Sequence, residues 1–479
     1  MVLKRTSIRG EFQRISSLPD SVKAGGWFTI CGFLQKGISM ITTPIFTRVL
    51  PEEEYGIVST FTAWQSVINL IVTLTIYRAI MNLYVQYENK ERVLAYVEGL
   101  SITISLVWTV VAMIMLTPLS VLMGMSKSLV LCMFLYSIGE SIIQCWMIYK
   151  RYIYDYRKAV GITLLLTFIS SFGGVVCVLG IRHNAEWRLY PQIAIYFIIG
   201  LIIYFVTFRR QKVFYHKEIW KFSLGFCVGL MPHYISEFIL QSSDKIMINY
   251  LCGSTDVALY SIAYAVGSLI LLFANAVNAS FVPYQYQKIQ SKSYRELAVT
   301  ANRVQIFLAV ILSLIMLFGK EIVLLFGGKK YISCVSIIVP ICLGVYFNYM
   351  FQMFARVQEY YNRKITIVIP SILCAILNII LNYIFILKYG YKAASYTTFI
   401  CFAVFCFIHY LFYLRTCKMD NNGETLFDGK MLLKISLGIV TIGFMILLIQ
   451  DNIIMRCIFL GGIFFMWGIV WKKNNIGFL

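Results

Sequence analysis

The chain has 479 residues, 59% of them hydrophobic and only 13% charged, with a mean hydropathy of +0.76. Soluble domains carry about 25% charged residues, so the composition excludes a soluble enzyme, and its continuous apolar runs exclude the alternating pattern of a β-barrel. A net charge of +20 would suggest a nucleic-acid partner in a soluble chain. In a membrane protein, basic inner loops explain it, and no nucleic acid is expected.

Residues 1–23 are basic and polar, with Lys4, Arg5, Arg9, Arg14 and Lys23. No short apolar core with a small-residue cleavage site precedes the first span, so no cleavable signal peptide is expected. Apolar runs long enough to cross a bilayer then follow at roughly 25–47, 57–83, 94–117, 127–149, 159–180, 192–208, 221–248, 257–281, 298–319, 333–354, 365–387, 392–414, 431–449 and 453–471. The expected fold class is an all-α polytopic membrane protein of about fourteen transmembrane helices. With the N-terminus in the cytoplasm, basic clusters such as Lys150–Arg151, Arg157–Lys158 and Arg209–Arg210 all fall on inner loops. The bias predicts a multi-pass protein of the cytoplasmic membrane with both termini inside.

The loops between these runs are short, and none is long enough to fold as a soluble catalytic domain. Any function must be carried by the membrane bundle, and no enzymatic activity is expected. The 13 cysteines are scattered without a CxxC pair, and the 4 histidines, His183, His216, His233 and His409, lie far apart. No metal site and no cofactor are therefore expected.

The most informative stretch is Met231–Tyr250, MPHYISEFILQSSDKIMINY, inside the seventh run. At helical spacing, His233, Glu237, Gln241 and Asp244 share one face, and Lys245 extends it. Each Asp or Lys at the centre of a lipid-exposed helix costs roughly 2.5–3.5 kcal/mol. The stripe must therefore face other helices or water. It is either a packing seam closed by an acid–lysine pair or the wall of a polar pathway.

Other ionisable residues lie within spans. Lys36 is near the middle of the first, with Gln35, Ser39 and Thr42 on much the same side. A lysine this deep needs an acid, an anionic ligand or water. Arg78 lies in the second span near Thr75 and Asn82, where it is either a cavity residue or a headgroup anchor. Glu140 and Glu237 read as the deepest acids, either of them a structural partner for Lys36 or Arg78. Arg356 and Glu359, spaced i, i+3, suggest a local pair. If Lys36, Arg78 and Lys245 outnumber the acids they face, the cavity attracts anions. A lipid-linked phosphate or diphosphate is the best membrane substrate for such a cavity.

The halves look related. TPIFTRVLPEEEYGIVSTF after the first span and SSDKIMINYLCGSTDVALYSIAYAV after the seventh both place a basic residue (Arg48, Lys245) near the outer end. Each then has an acidic loop and a tyrosine, Tyr55 or Tyr260. Their positions fit a six-plus-six repeat, a common transporter plan with the substrate site between the halves.

On these residues the sequence resembles the bacterial polysaccharide-export flippases (Wzx type). Their superfamily includes the multidrug/toxic-compound extrusion antiporters and the lipid II flippase. The resemblance is carried by Thr43, Pro44, Thr47, Arg48, Leu50, Glu54, Tyr55 and Gly56, then by Asp244, Lys245, Ile248, Tyr260 and Ala263, and by Phe281 and Pro283. Ala258 departs from it, standing where a glycine is expected.

The resemblance implies two pseudo-symmetric six-helix lobes making a V, residues 1–210 and 211–415, with a C-terminal helix pair at 416–479. The implied function is translocation of polyprenyl-diphosphate-linked oligosaccharide repeat units for surface polysaccharide assembly. Membrane lipid, a polysaccharide polymerase and glycosyltransferases would be its partners. Lys36, Arg78, Lys245 and Gln241 would contact substrate. Glu237 and Asp244 would couple a proton or sodium ion, and Arg48 would serve as a gate or loop anchor. The alternatives are a cation-coupled multidrug antiporter of the same superfamily, disfavoured by the deep basic residues, and a membrane polymerase or glycosyltransferase, disfavoured by the short outer loops.

Overall fold

A computed structural model describes residues 20–363 and 365–476, except the side chains of 20–22, 24, 233, 279 and 470–476. Lys4, Arg5, Arg9 and Arg14, and the side chain of His233, lie outside the described residues. In chain order the helices are α1 Asp20–Val49, α2 Glu52–Thr73, α3 Ile80–Gln86, α4 Lys90–Ile114, α5 Leu116–Met123, α6 Lys127–Tyr152, α7 Tyr156–Phe168, α8 Gly174–Gly180, α9 Ala185–Gln211 and α10 Lys217–Leu251. They continue as α11 Ser254–Gly267, α12 Ile270–Gln290, α13 Tyr294–Leu317, α14 Gly319–Phe326, α15 Ile338–Tyr360, α16 Ile365–Tyr389, α17 Lys392–Asp420, α18 Gly429–Ile449 and α19 Ile453–Ile476. The fold is all-α, as composition and periodicity predict.

Ten of the described helices are long and apolar enough to cross a membrane, or up to 12 if two bent pairs each count as one span. The expected fourteen is not reached on that measure. α1 interrupts its apolar run with Gln35, Lys36 and several threonines, and the described apolar part of the last helix, Ile453–Ile469, is short.

The second predicted span is also not one rod. Leu74 and Thr75 take φ values of 46° and 50°, and a 3-10 turn, Ile76–Ala79, follows before α3. A β-branched residue in the left-handed region is strained. No glycine or proline marks the break in the sequence.

The described residues form two compact units. One comprises residues 20–42 and Val67–Met231; the other comprises Thr43–Ser66 and residues 232–476. Two borders fall beside prolines within helices, Pro44 in α1 and Pro232 in α10. Proline removes one backbone hydrogen bond and crowds the preceding turn, so the rod is weakest there.

In the first unit, α6 packs on α4 and α9. The α6–α9 approach depends on Gly139 and Gly200. A Cβ on Gly200 would lie 2.4 Å from Gly139 Cα, and one on Gly139 would lie 2.2 Å from the Tyr196 carbonyl oxygen. Small residues at this crossing let the backbones touch, which is how helices pack without a hydrophobic driving force in lipid. Gly200→Ala is expected to cost about 1–3 kcal/mol through overpacking and to lower the detergent melting temperature. Gly161→Ala, where a Cβ meets nothing within 4 Å, should leave it unchanged.

The second unit holds the larger core, built from α11, α13, α15, α17 and α18 around Tyr260, Tyr331, Phe354 and Tyr413. Tyr413 Oη accepts from the Leu426 and Phe427 backbone N–H groups, at 2.6 and 3.0 Å, which fixes the turn before α18. α19 is held by Arg456, 7% exposed, whose guanidinium donates to Glu321 Oε1 and Oε2 at 2.7 and 2.8 Å and to the Leu317 carbonyl at 3.0 Å.

The Arg456 hydrogen bonds hold the Glu321 carboxyl below its ordinary range. The contribution of this pair is therefore complete above that range and is lost as pH falls through the lowered value. Glu321→Gln is expected to destabilise by about 1–3 kcal/mol. A thermal scan of the variant should also show less loss of stability on acidification than the parent.

Candidate functional site

The end of α1 is tied within the second unit. Thr47 Oγ1 donates to the Phe326 carbonyl, Arg48 Nη2 donates to the Leu325 carbonyl at 3.1 Å, and Lys330 Nζ donates to the Leu50 carbonyl at 2.8 Å. These contacts satisfy carbonyls that helix ends leave without intrahelical partners. Gly56 lies against the Ser254 backbone, where a Cβ would stand 1.8 Å from the carbonyl oxygen. The two repeat-like junctions of the sequence therefore meet at a contact only glycine permits.

Asp244 is the centre of a buried polar network and is 3% exposed. Its Oδ2 accepts from Tyr260 Oη at 2.6 Å and Thr398 Oγ1 at 2.7 Å, and its Oδ1 accepts from Asn382 Nδ2 at 2.6 Å. Asn378, one turn before Asn382 on α16, accepts from Ser243 Oγ at 3.1 Å and Asn382 Nδ2 at 3.2 Å. Thr397 donates to Asn382 Oδ1. Four helices, α10, α11, α16 and α17, thus converge on one carboxylate through amide and hydroxyl groups. Its three donors are two hydroxyls and one amide N–H, and the carboxylate is the group of this network that can take up a proton or a hard cation.

Sequence reading found Asp244 and Tyr260 but missed Asn378, Asn382, Thr397 and Thr398. A signal existed: two amides at i, i+4 inside the apolar run ILCAILNIILNYIF. Buried amides in a span need partners of matching chemistry.

The remaining polar residues of α10 look elsewhere. Lys245 is half-buried, with Nζ 5.5 Å from the Tyr264 ring centroid, and stands outside the Asp244 hydrogen bonds. Glu237 and Gln241 are exposed, bond each other at 3.2 Å, and line a cavity of about 310 Å³ in the second unit. The stripe is therefore divided between a sealed network and a cavity wall.

Lys36 and Arg78 belong to the first unit, and both are exposed. Gln35 does not share the outlook of Lys36: its Nε2 donates to Thr167 Oγ1 at 3.1 Å, fastening α1 to α7. Arg78 sits on the 3-10 turn after the strained Thr75, its guanidinium 5.7 Å from the Tyr77 ring centroid. Glu140 accepts from Gln144 at 2.6 Å on its own helix.

Among the described residues the fully enclosed acids are Asp244 and Glu98, while Glu140 is half-buried and Glu237 exposed. Glu98 is 0% exposed, with both carboxylate oxygens buried. Gly99 beside it lies against Phe214, whose carbonyl oxygen a Cβ there would meet at 2.4 Å.

A family model described as "Polysaccharide biosynthesis protein" matches residues 21–290. The chain belongs to this family. A second model, MatE, matches residues 230–384, which include Asp244, Tyr260, Asn378 and Asn382 of the network but not Thr397 and Thr398.

Among curated proteins, this polysaccharide biosynthesis protein is similar to "Lsg locus putative protein 1" of Haemophilus influenzae. The two are 22% identical over 266 residues, covering 54% of this chain and 64% of the relative. The match thus spans just under two thirds of that relative's length.

Solved structures share the fold. "Lipid II flippase MurJ, inward closed conformation" has a TM-score of 0.68 at 17% identity, covering 94% of this chain and 99% of its own. An inward-facing multidrug resistance MATE family transporter of the MOP superfamily has a TM-score of 0.59 at 16% identity, covering 81% and 96%. A MOP superfamily transporter from Pyrococcus furiosus, titled for the reverse polarity of its binding pocket, has a TM-score of 0.56 at 15% identity, covering 83% and 96%. The chain is thus a polytopic helical membrane protein of the polysaccharide biosynthesis protein family, with the fold of these solved structures.

Proposed function

We propose that this chain moves polyprenyl-diphosphate-linked oligosaccharide repeat units across the cytoplasmic membrane, for surface polysaccharide assembly, with both termini in the cytoplasm. Lys36 carries the reading. It is a cation in the middle of α1 that is exposed and not packed, and at that depth an exposed ammonium calls for an anionic ligand or water. A diphosphate meets that need by charge-assisted hydrogen bonds. Arg78 and Lys245 are further phosphate contacts, and Gln241 contacts the sugars. The likeness in fold to a lipid II flippase and to multidrug transporters, with short connections between the described helices, supports transport over synthesis. The polymerase and glycosyltransferases that supply and use the repeat unit are the partners.

Asp244 is the coupling group in this scheme, binding a proton or sodium ion, and Glu237 gates or assists from the cavity wall. Arg48 anchors the end of α1 on the Leu325 carbonyl.

The test is reconstitution into vesicles with lipid-linked oligosaccharide extracted from host cells that lack this chain. Appearance of the sugar on the opposite leaflet, read by accessibility to an added glycosidase, is the expected result. The MatE match over residues 230–384 favours a second reading, a cation-coupled drug antiporter. Gradient-driven efflux of a cationic dye, with no sugar translocation, would establish that reading instead.

A further inference from the structure

Arg356 and Glu359 are left unused by this scheme, and both line the cavity that Glu237 and Gln241 enter. Their i, i+3 spacing predicts an ion pair. Instead Arg356 Nη2 donates to Gln352 Oε1 at 3.3 Å, and Nη1 is buried with no protein partner. A buried guanidinium N–H left unpaired costs about 1–3 kcal/mol or more; Nη1 is closed off from solvent, and other atoms of the Arg356 side chain line the cavity.

The cavity, about 310 Å³, is at the small end of the range for organic ligands. One wall is aromatic: Phe351 and Phe405 stand 4.4 Å apart between ring centroids, with Phe402 beside them. The rest carries both kinds of polar group: the carboxylates of Glu237 and Glu359, the amides of Gln241, Asn348 and Gln352, and the Arg356 guanidinium. An anion alone would face two carboxylates. An apolar molecule would leave unused the hydrogen-bonding capacity that remains on these amides and carboxylates beyond their bonds to one another. A sugar ring suits all of them. Its hydroxyls donate to the carboxylates and accept from the guanidinium and amides, while its C–H face lies on the phenylalanine wall.

We propose that this cavity of the second unit is a monosaccharide subsite, holding one pyranose residue of the lipid-linked glycan with Arg356 and Gln352 as its hydrogen-bond donors. The subsite rests on the flippase reading and adds that the sugar itself, besides the diphosphate, is recognised.

The experiment measures binding of two probes to the purified full chain in nanodiscs. One is the polyprenyl-diphosphate oligosaccharide extracted from host cells lacking this chain; the other is bare polyprenyl diphosphate. Wild type is expected to bind the glycosylated probe at least about ten-fold more tightly. Arg356→Gln and, independently, Gln352→Ala should abolish that preference while binding of the bare carrier persists, which also reports a folded protein.

Equal affinity of wild type for the two probes would overturn the subsite. So would a preference that survives in both variants, or an equal weakening of both probes. Failure of wild type to bind either probe would instead overturn the flippase reading and the subsite with it. Binding of a glucosamine-bearing lipid but not its N-acetylated form would overturn neutral-sugar recognition in favour of a cation site at Glu237 and Glu359.

Discussion

Asp244→Asn is expected to reduce translocation at least ten-fold and to remove its dependence on an ion gradient, while the protein stays in the membrane. Three donors, Tyr260 Oη, Thr398 Oγ1 and Asn382 Nδ2, point into this carboxylate at 2.6–2.7 Å. A carboxylate accepts all three; an amide offers one oxygen and turns its N–H groups toward the remaining donors. One such unsatisfied buried contact costs about 1–3 kcal/mol, small enough for a packed bundle to survive. In the proposed coupling role the loss of the carboxylate is not compensated by its neighbours in the network, which are amides and hydroxyls. Flux into vesicles under imposed sodium or pH gradients provides the measurement. Gradient-dependent transport at wild-type rate in Asp244→Asn would remove Asp244 from the coupling role. Thr398→Ala, which deletes one donor and leaves the carboxylate, should give a smaller loss.

Lys36→Ala is expected to reduce export about ten- to a hundred-fold with unchanged membrane abundance, because a hydrogen bond to a charged group contributes about 1.5–3 kcal/mol. Lys36 is exposed, so truncating it removes little packing, and exposed substitutions typically stay within about 0.5 kcal/mol of stability. A loss of function without loss of protein therefore separates ligand contact from folding. Lys36→Arg, which keeps the charge on a larger head, should retain part of the activity, and Lys36→Glu should be worse than alanine. Surface polymer, normalised to membrane protein level in a strain carrying each variant, is the readout. Wild-type polymer in Lys36→Ala at normal abundance would refute the phosphate contact.

How much of this was legible beforehand can be judged residue by residue. The all-α membrane class followed from apolar runs of bilayer length, because in lipid the backbone must satisfy its own hydrogen bonds. The polar stripe of α10 was legible for a related reason: ionisable groups in a span are costly and stand out. Asp244, Lys245, Glu237, Gln241, Lys36 and Arg78 were all visible on that ground, as was the resemblance carried by Thr43–Gly56.

The sequence could not say which neighbours each of these groups would have. Helical periodicity put Glu237, Gln241 and Asp244 on one face, yet only the packing of α11, α16 and α17 seals Asp244 while leaving Glu237 on a cavity wall. Arg356 read as half of an ion pair with Glu359, but it bonds Gln352 instead and leaves one buried guanidinium nitrogen unpaired. Glu98 is fully enclosed, and nothing in the local sequence singled it out. The break at Leu74–Thr75 had no proline or glycine to announce it.

The sequence alone thus determined a helical membrane protein with charges in its spans, since burial in lipid is a one-dimensional cost written along the chain. Tertiary structure alone decided which charges share a network, which face a cavity and which are sealed. Those outcomes depend on contacts between residues more than a hundred positions apart, such as Asp244 with Asn382 and Thr398, and no local pattern encodes them.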